Sequence, residues 1–99
     1  MEQIVEICCE NNAKTFGLYP RKGVLAEGSD ADIVIIDPDK ETTVDENFYR
    51  GLNRTFSHIW GMQLKGLPVM TMVRGQVVME DWKTVGEPGY GEFVPSKKY

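Results

Sequence analysis

An α+β fold, with a short N-terminal helix, then a mostly antiparallel β-sheet and an irregular C-terminal tail, is predicted by three features of this 99-residue sequence. Apolar residues recur at helical spacing only before Asn11. From residue 31 onward they gather in short β-branched runs separated by Gly, Pro and Asp. The final stretch, GEPGYGEFVPSKKY at 86–99, is too rich in Gly and Pro to be regular. With 41% hydrophobic residues the chain supports one small domain, a size that buries a modest fraction of its surface.

Ile4, Ile7 and Cys8 share a helical face, and Glu2, Glu6 and Glu10 lie between them, which predicts an amphipathic helix over 2–10. Asn11 and Asn12 are expected to end it, with Asn12 capping a second turn over 13–16 that Gly17 breaks. Cys8 and Cys9 are adjacent and lack a CxxC spacer, so they read as reduced thiols, Cys8 on the core side. Residues 31–36 form a strand closed by Asp37-Pro38, and 41–44 a short second strand. The segment DENFYRGLNRTFSHIWG at 45–61 has no clear period and reads as a long loop or irregular helix. Residues 69–73 and 76–80 flank Arg74-Gly75 as a tight hairpin, and 83–85 add an edge. No internal repeat is present.

Charge narrows the function classes. A net charge of -4 with scattered Lys and Arg argues against nucleic-acid or anionic-membrane surfaces. No apolar run approaches the roughly 20 residues that span a bilayer. The first residues, MEQIVEICCENN, carry acids where a signal peptide carries bases, so a cytoplasmic chain is expected.

The stretch GSDADIVIIDPD at 28–39 sets four aspartates around four aliphatics. Read as a calcium loop from Asp30, it places Asp32 and Glu41 at ligand positions, but Val34 and Ile35 occupy the fifth and sixth, where an oxygen ligand and a glycine are needed. The β-branched run stiffens the backbone instead, so the aspartates read as the two ends of a strand covered on both faces.

Other chemistry finds little support. His58 is the only histidine, too few for a catalytic zinc, and Ser29, Ser57 and Ser96 lie in no GxSxG elbow. Cys8 is intrinsically the more nucleophilic group, yet a thiol on an apolar helix face is ordinarily inert. The glycines of 86–91 do not link a strand to a helix, so they form no phosphate loop. No catalytic, metal or cofactor-binding residue is therefore assigned. YPRKG at 19–23 is an anion-binding turn or, more simply, a solvated bend. Trp60, Trp82, Tyr90 and Phe93 either fill the core or form a partner surface; Tyr90, Phe93 and Val94 are the candidate partner contacts.

Several motifs recur together in one family. NAKTFGLYPRKG at 12–23, GSDADIV at 28–34, KGLPV at 65–69, VRGQVV at 73–78 and GEPGYGEFV at 86–94 occur in the order seen in the C-terminal part of the dihydropyrimidinase and D-hydantoinase branch of the cyclic amidohydrolases, which the chain resembles over nearly its whole length. It departs at Ala13, where the family has proline, at Trp60, where an acid is usual, and at Tyr90 and Glu92, where Trp and Arg are common.

The resemblance implies a parent that hydrolyses cyclic amide C–N bonds with a divalent metal pair, usually zinc, on a (β/α)8 barrel. A barrel takes about 250 residues, and no H-x-H pair is present here, so no family ligand maps onto this chain. The implied division is a helix and linker from the end of the barrel over 1–23, part of a composite accessory β-sandwich over 24–85 and an extended tail over 86–99. The implied role is non-catalytic: completing the sandwich and supporting assembly with the rest of the parent or with neighbouring subunits, as in a homo-oligomer. An unpaired strand edge is expected to make the isolated piece associate. The rival reading is a free-standing interaction module that uses the aromatic tail.

Overall fold

In the computed structural model, residues 1–48 and 58–97 are described. The chain begins with one helical run in three parts: α1 at Glu2–Val5, a π-helical segment at Glu6–Glu10, and α2 at Asn11–Thr15. Asn11 and Asn12 therefore do not end the helix. The Asn12 amide side chain donates back to the Cys8 carbonyl at 2.9 Å, so it satisfies a carbonyl of the preceding turn instead of capping a new one. The run stops at Gly17, whose φ of +67° suits glycine. There the Gly17 amide donates to Lys14 and the Leu18 amide to Ala13, the paired bonds of a Schellman ending.

Among the described residues four strands follow in one antiparallel sheet, in the order β1 (Ile33–Thr43), β2 (Gln63–Val73), β3 (Gln76–Glu80) and β4 (Lys83–Thr84). The predicted hairpin is present: Arg74 and Gly75, at φ +47° and +80°, make the turn between β2 and β3. β4 is the short edge expected after it, although it stops at Thr84.

β1 differs from expectation in three ways. It starts at Ile33, it runs through Pro38 to Thr43 and so absorbs the separate strand expected at 41–44, and its aliphatic residues Val34, Ile35 and Ile36 are exposed. Proline is tolerated because β1 is an edge strand and the register breaks there: Asp37 faces Leu67, while Glu41 already faces Lys65. Inside this bulge the Asp37 carboxylate accepts the amides of Asp39 and Lys40 at 2.9 and 3.2 Å, and Gly66 opposite it adopts φ +86°. A second shift, between Ile35 and Ile36, lets Pro68 sit in β2 without breaking the ladder.

The strand was expected to be covered on both faces. Instead Val34, Ile35 and Ile36 are 53%, 43% and 38% exposed. Among the described apolar residues only Ala13, Val44 and Leu67 are buried. Residues 45–48 and 58–61 turn at either side of the segment expected to be loop or irregular helix, whose centre, 49–57, lies outside the described residues.

Candidate functional site

The helical run and the sheet do not pack on one another. Between them lies an open groove of about 590 Å³, with Ile4, Val5, Cys9 and Phe16 on the helical side and Val34 and Ile36 on the strand side. Ile4 lines this groove and Ile7 points away from it, and both are exposed. Cys8, expected on the core side, is exposed as well, because no described element covers that face.

The seam is joined at its closed end by polar groups and by close backbone contact. At Gly23, with φ +86°, a Cβ would stand 2.5 Å from the Ala13 Cβ and 2.9 Å from the Cys9 carbonyl oxygen, so only glycine lets the linker lie against the helix. Next to it, Arg21 Nε donates to Asp30 Oδ2 at 2.9 Å, and Lys22 Nζ contacts Asp30 Oδ2 at 2.9 Å and also donates to Asp32 Oδ2. The YPRKG cations are thus held by the acids at the start of β1 and do not form an open anion site. Asp32 Oδ1 accepts the Arg74 amide at 2.9 Å, so the cluster also grips the β2–β3 turn.

The electrostatics follow from this geometry. Partial burial opposes the Lys22 charge, but its hydrogen bonds to Asp32 and Asp30 outweigh that and hold the ammonium above the ordinary lysine range. Hydrogen bonds from Lys22 and Arg21 hold the half-buried Asp30 carboxyl below the usual carboxylate range. For Asp32, desolvation pushes upward and is outweighed by Lys22 and the Arg74 amide, so it too is lowered.

These residues do not suit a metal. Among the described residues no three His, Cys, Asp or Glu side chains converge, and a cation between Asp30 and Asp32 would have to displace the Lys22 ammonium. No helix of the described residues is long and apolar enough to cross a membrane.

The three candidate contact residues of the tail are placed differently from one another. Tyr90 is half-buried, its ring centre 4.2 Å from the Arg74 guanidinium, which also donates to the Tyr90 carbonyl. Val94 is half-buried, whereas Phe93 is 91% exposed. Trp82, in the β3–β4 turn, rests against Phe48 with ring centres 5.1 Å apart, and Trp60 is exposed. These four aromatic residues therefore do not form one patch. Sequence reasoning missed the Asp32 contact to Arg74, because 42 residues separate the two and only the sheet register brings them together.

The model of the amidohydrolase family matches residues 1–78. The L-hydantoinase of Paenarthrobacter aurescens is 48% identical over 99 residues, which is all of this chain and 21% of that enzyme. The dihydropyrimidinase of Rattus norvegicus is 39% identical over 98 residues, 18% of its length. Among solved structures, the L-hydantoinase from Arthrobacter aurescens superposes with a TM-score of 0.89 over 96% of this chain and 21% of that one, at 48% identity. A D-hydantoinase structure superposes with a TM-score of 0.90 over 100% of the chain and 21% of its own length, at 38% identity. The chain thus spans about a fifth of the length of the relatives that it matches.

Proposed function

The chain belongs to the amidohydrolase family, and from that premise we propose that it is the non-catalytic C-terminal segment of a hydantoinase- or dihydropyrimidinase-like enzyme that hydrolyses cyclic amide C–N bonds. Its role is to complete a composite β-sandwich and to support subunit assembly. The observation that carries this reading is the exposure of Val34, Ile35 and Ile36 on both faces of β1, in a chain that spans 21% of a relative's length. Four consecutive aliphatics are the pattern of a strand covered on both sides, and the cover is the remainder of the parent.

In this reading 1–23 is the end of the barrel side with its linker, 24–85 is the partial sandwich, and 86–99 is an extended tail. Tyr90, Phe93 and Val94 are its contacts with neighbouring subunits, in a cytoplasmic homo-oligomer. The parent's divalent metal pair, usually zinc, is held by residues outside this chain. No step of the hydrolysis is assigned to any residue here.

The test is turnover. The 99-residue chain is expected to hydrolyse neither dihydrouracil nor hydantoin, with or without added zinc. Turnover that survives purification and disappears with a chelator would overturn the non-catalytic role. The exposure of Phe93 favours a second reading, a free-standing module that docks its tail on a partner.

A further inference from the structure

Two separate features of the molecule meet at one carboxylate. Asp32 holds Lys22 through Oδ2 and, through Oδ1, accepts the backbone amide of Arg74 at 2.9 Å. Arg74 sits at φ +47°, in the left-handed region that an L-residue adopts only when its surroundings hold it there. The Asp32 bond does so, together with the 2.9 Å bond from the Gly75 amide to the Ala31 carbonyl. From that turn the Arg74 guanidinium lies over the Tyr90 ring, donates to the Tyr90 carbonyl and approaches Glu92 at 3.6 Å. Farther along, the Lys97 amide donates at 3.0 Å to the carbonyl of Gly17, at the end of the helical run. The path closes on itself: helix end, linker, Lys22, Asp32, the Arg74 turn, the tail and back to the helix end.

We propose that Asp32 is the positioning residue for the C-terminal tail. By fixing the Arg74 turn it sets the course of residues 90–97 as a strap between the sheet and the helix end, and so sets the direction in which Phe93 projects. Asp30 supplies the internal contrast. It shares the Lys22 ammonium with Asp32 and also pairs with Arg21, but it does not contact Arg74 through any of these bonds. Loss of Asp30 therefore loosens the linker and leaves the strap seated.

The test is residue-resolved hydrogen exchange at the Lys97 amide, in the full natural chain that carries this sequence, with the amides of β2 as the check on the fold. Asp32→Ala is expected to speed exchange at Lys97 by about tenfold or more, because the local opening that frees this amide becomes easier. Arg74→Lys keeps the backbone amide and the charge but loses the planar fork, and is expected to do the same. Asp30→Asn is expected to leave the Lys97 rate unchanged. An unchanged rate in Asp32→Ala with β2 intact, or an equal acceleration in Asp30→Asn, overturns the proposal. If Asp32→Ala loosens β2 as well, Asp32→Asn decides, since it keeps an Oδ1 acceptor for the Arg74 amide but loses the charge that holds Lys22: an unchanged Lys97 rate upholds the proposal, and a raised rate with β2 intact overturns it.

Discussion

β1 and β2 are both 11 residues long and paired to each other, yet they live in different surroundings. β2 has a strand on each side and is half-buried or buried from Gly66 onward, with Leu67 only 4% exposed. β1 has the more aliphatic core, IVII, and leaves Val34, Ile35 and Ile36 exposed. Composition thus states how much apolar surface a strand has to bury, while neighbours decide whether it is buried. The helical run repeats the lesson. Ile4, Val5 and Phe16 face β1 across an open groove, and the seam is fastened by Gly23, by the Lys22 cluster and by the Lys97 contact.

The contrast between the strands is broken most directly by truncating each. Leu67→Ala is expected to lower unfolding stability in a urea titration by about 2–5 kcal/mol, the usual cost of a buried leucine, whereas Ile35→Ala in the same 99-residue chain is expected to cost less than about 1 kcal/mol. Equal costs would mean that β1 is as well covered as β2.

The seam offers a second contrast. Gly23 and Gly28 share nearly the same φ, +86° and +87°, but only Gly23 lies against other atoms. Gly28→Ala is expected to cost about 1–2 kcal/mol of backbone strain, and Gly23→Ala clearly more, since its methyl group would meet the Cys9 carbonyl and Ala13. Melting temperatures of the two variants check the ordering.

Acid tests the polar fastening against the apolar groove. The folded pKa values of Asp30 and Asp32 are depressed, so their stabilisation is present above the ordinary carboxylate pKa of about 3.9 and is lost as pH falls through the lower folded values. Lys22 is raised, so its contribution is complete below about pH 10.4 and fades as pH rises through its folded value. A Lys22→Met variant is expected to flatten both limbs of the stability-versus-pH curve. The smallest effect belongs to the exposed pair Lys65–Asp39 at 3.1 Å, where Asp39→Ala is expected to change stability by no more than about 1 kcal/mol in the same titration.

Much of the sheet was legible in the residues. The two short runs flanking the Arg74-Gly75 turn placed the β2–β3 hairpin, since the signal is local. The continuation of β1 through Pro38 was not legible, because proline normally closes a strand and here a bulge opposite Gly66 accommodates it. The helix end was misread for a similar reason: Asn12 has the chemistry of a cap, but its side chain bonds backward to Cys8. The acids at 30 and 32 are legible in the sequence only as a mark of the start of β1, near which they lie. Their hold on Arg21, Lys22 and Arg74 depends on how the linker folds back and how the sheet registers, which no local spacing reveals.

On the proposed function, the cover for β1 belongs to the same natural polypeptide. The measurement that tests it most directly is the mass of that polypeptide, by blotting an extract of the source cells with an antibody raised against residues 86–97. A band several times heavier than 11.2 kDa is expected. A band at 11.2 kDa would contradict it and leave the exposed strand to be covered by a separate partner.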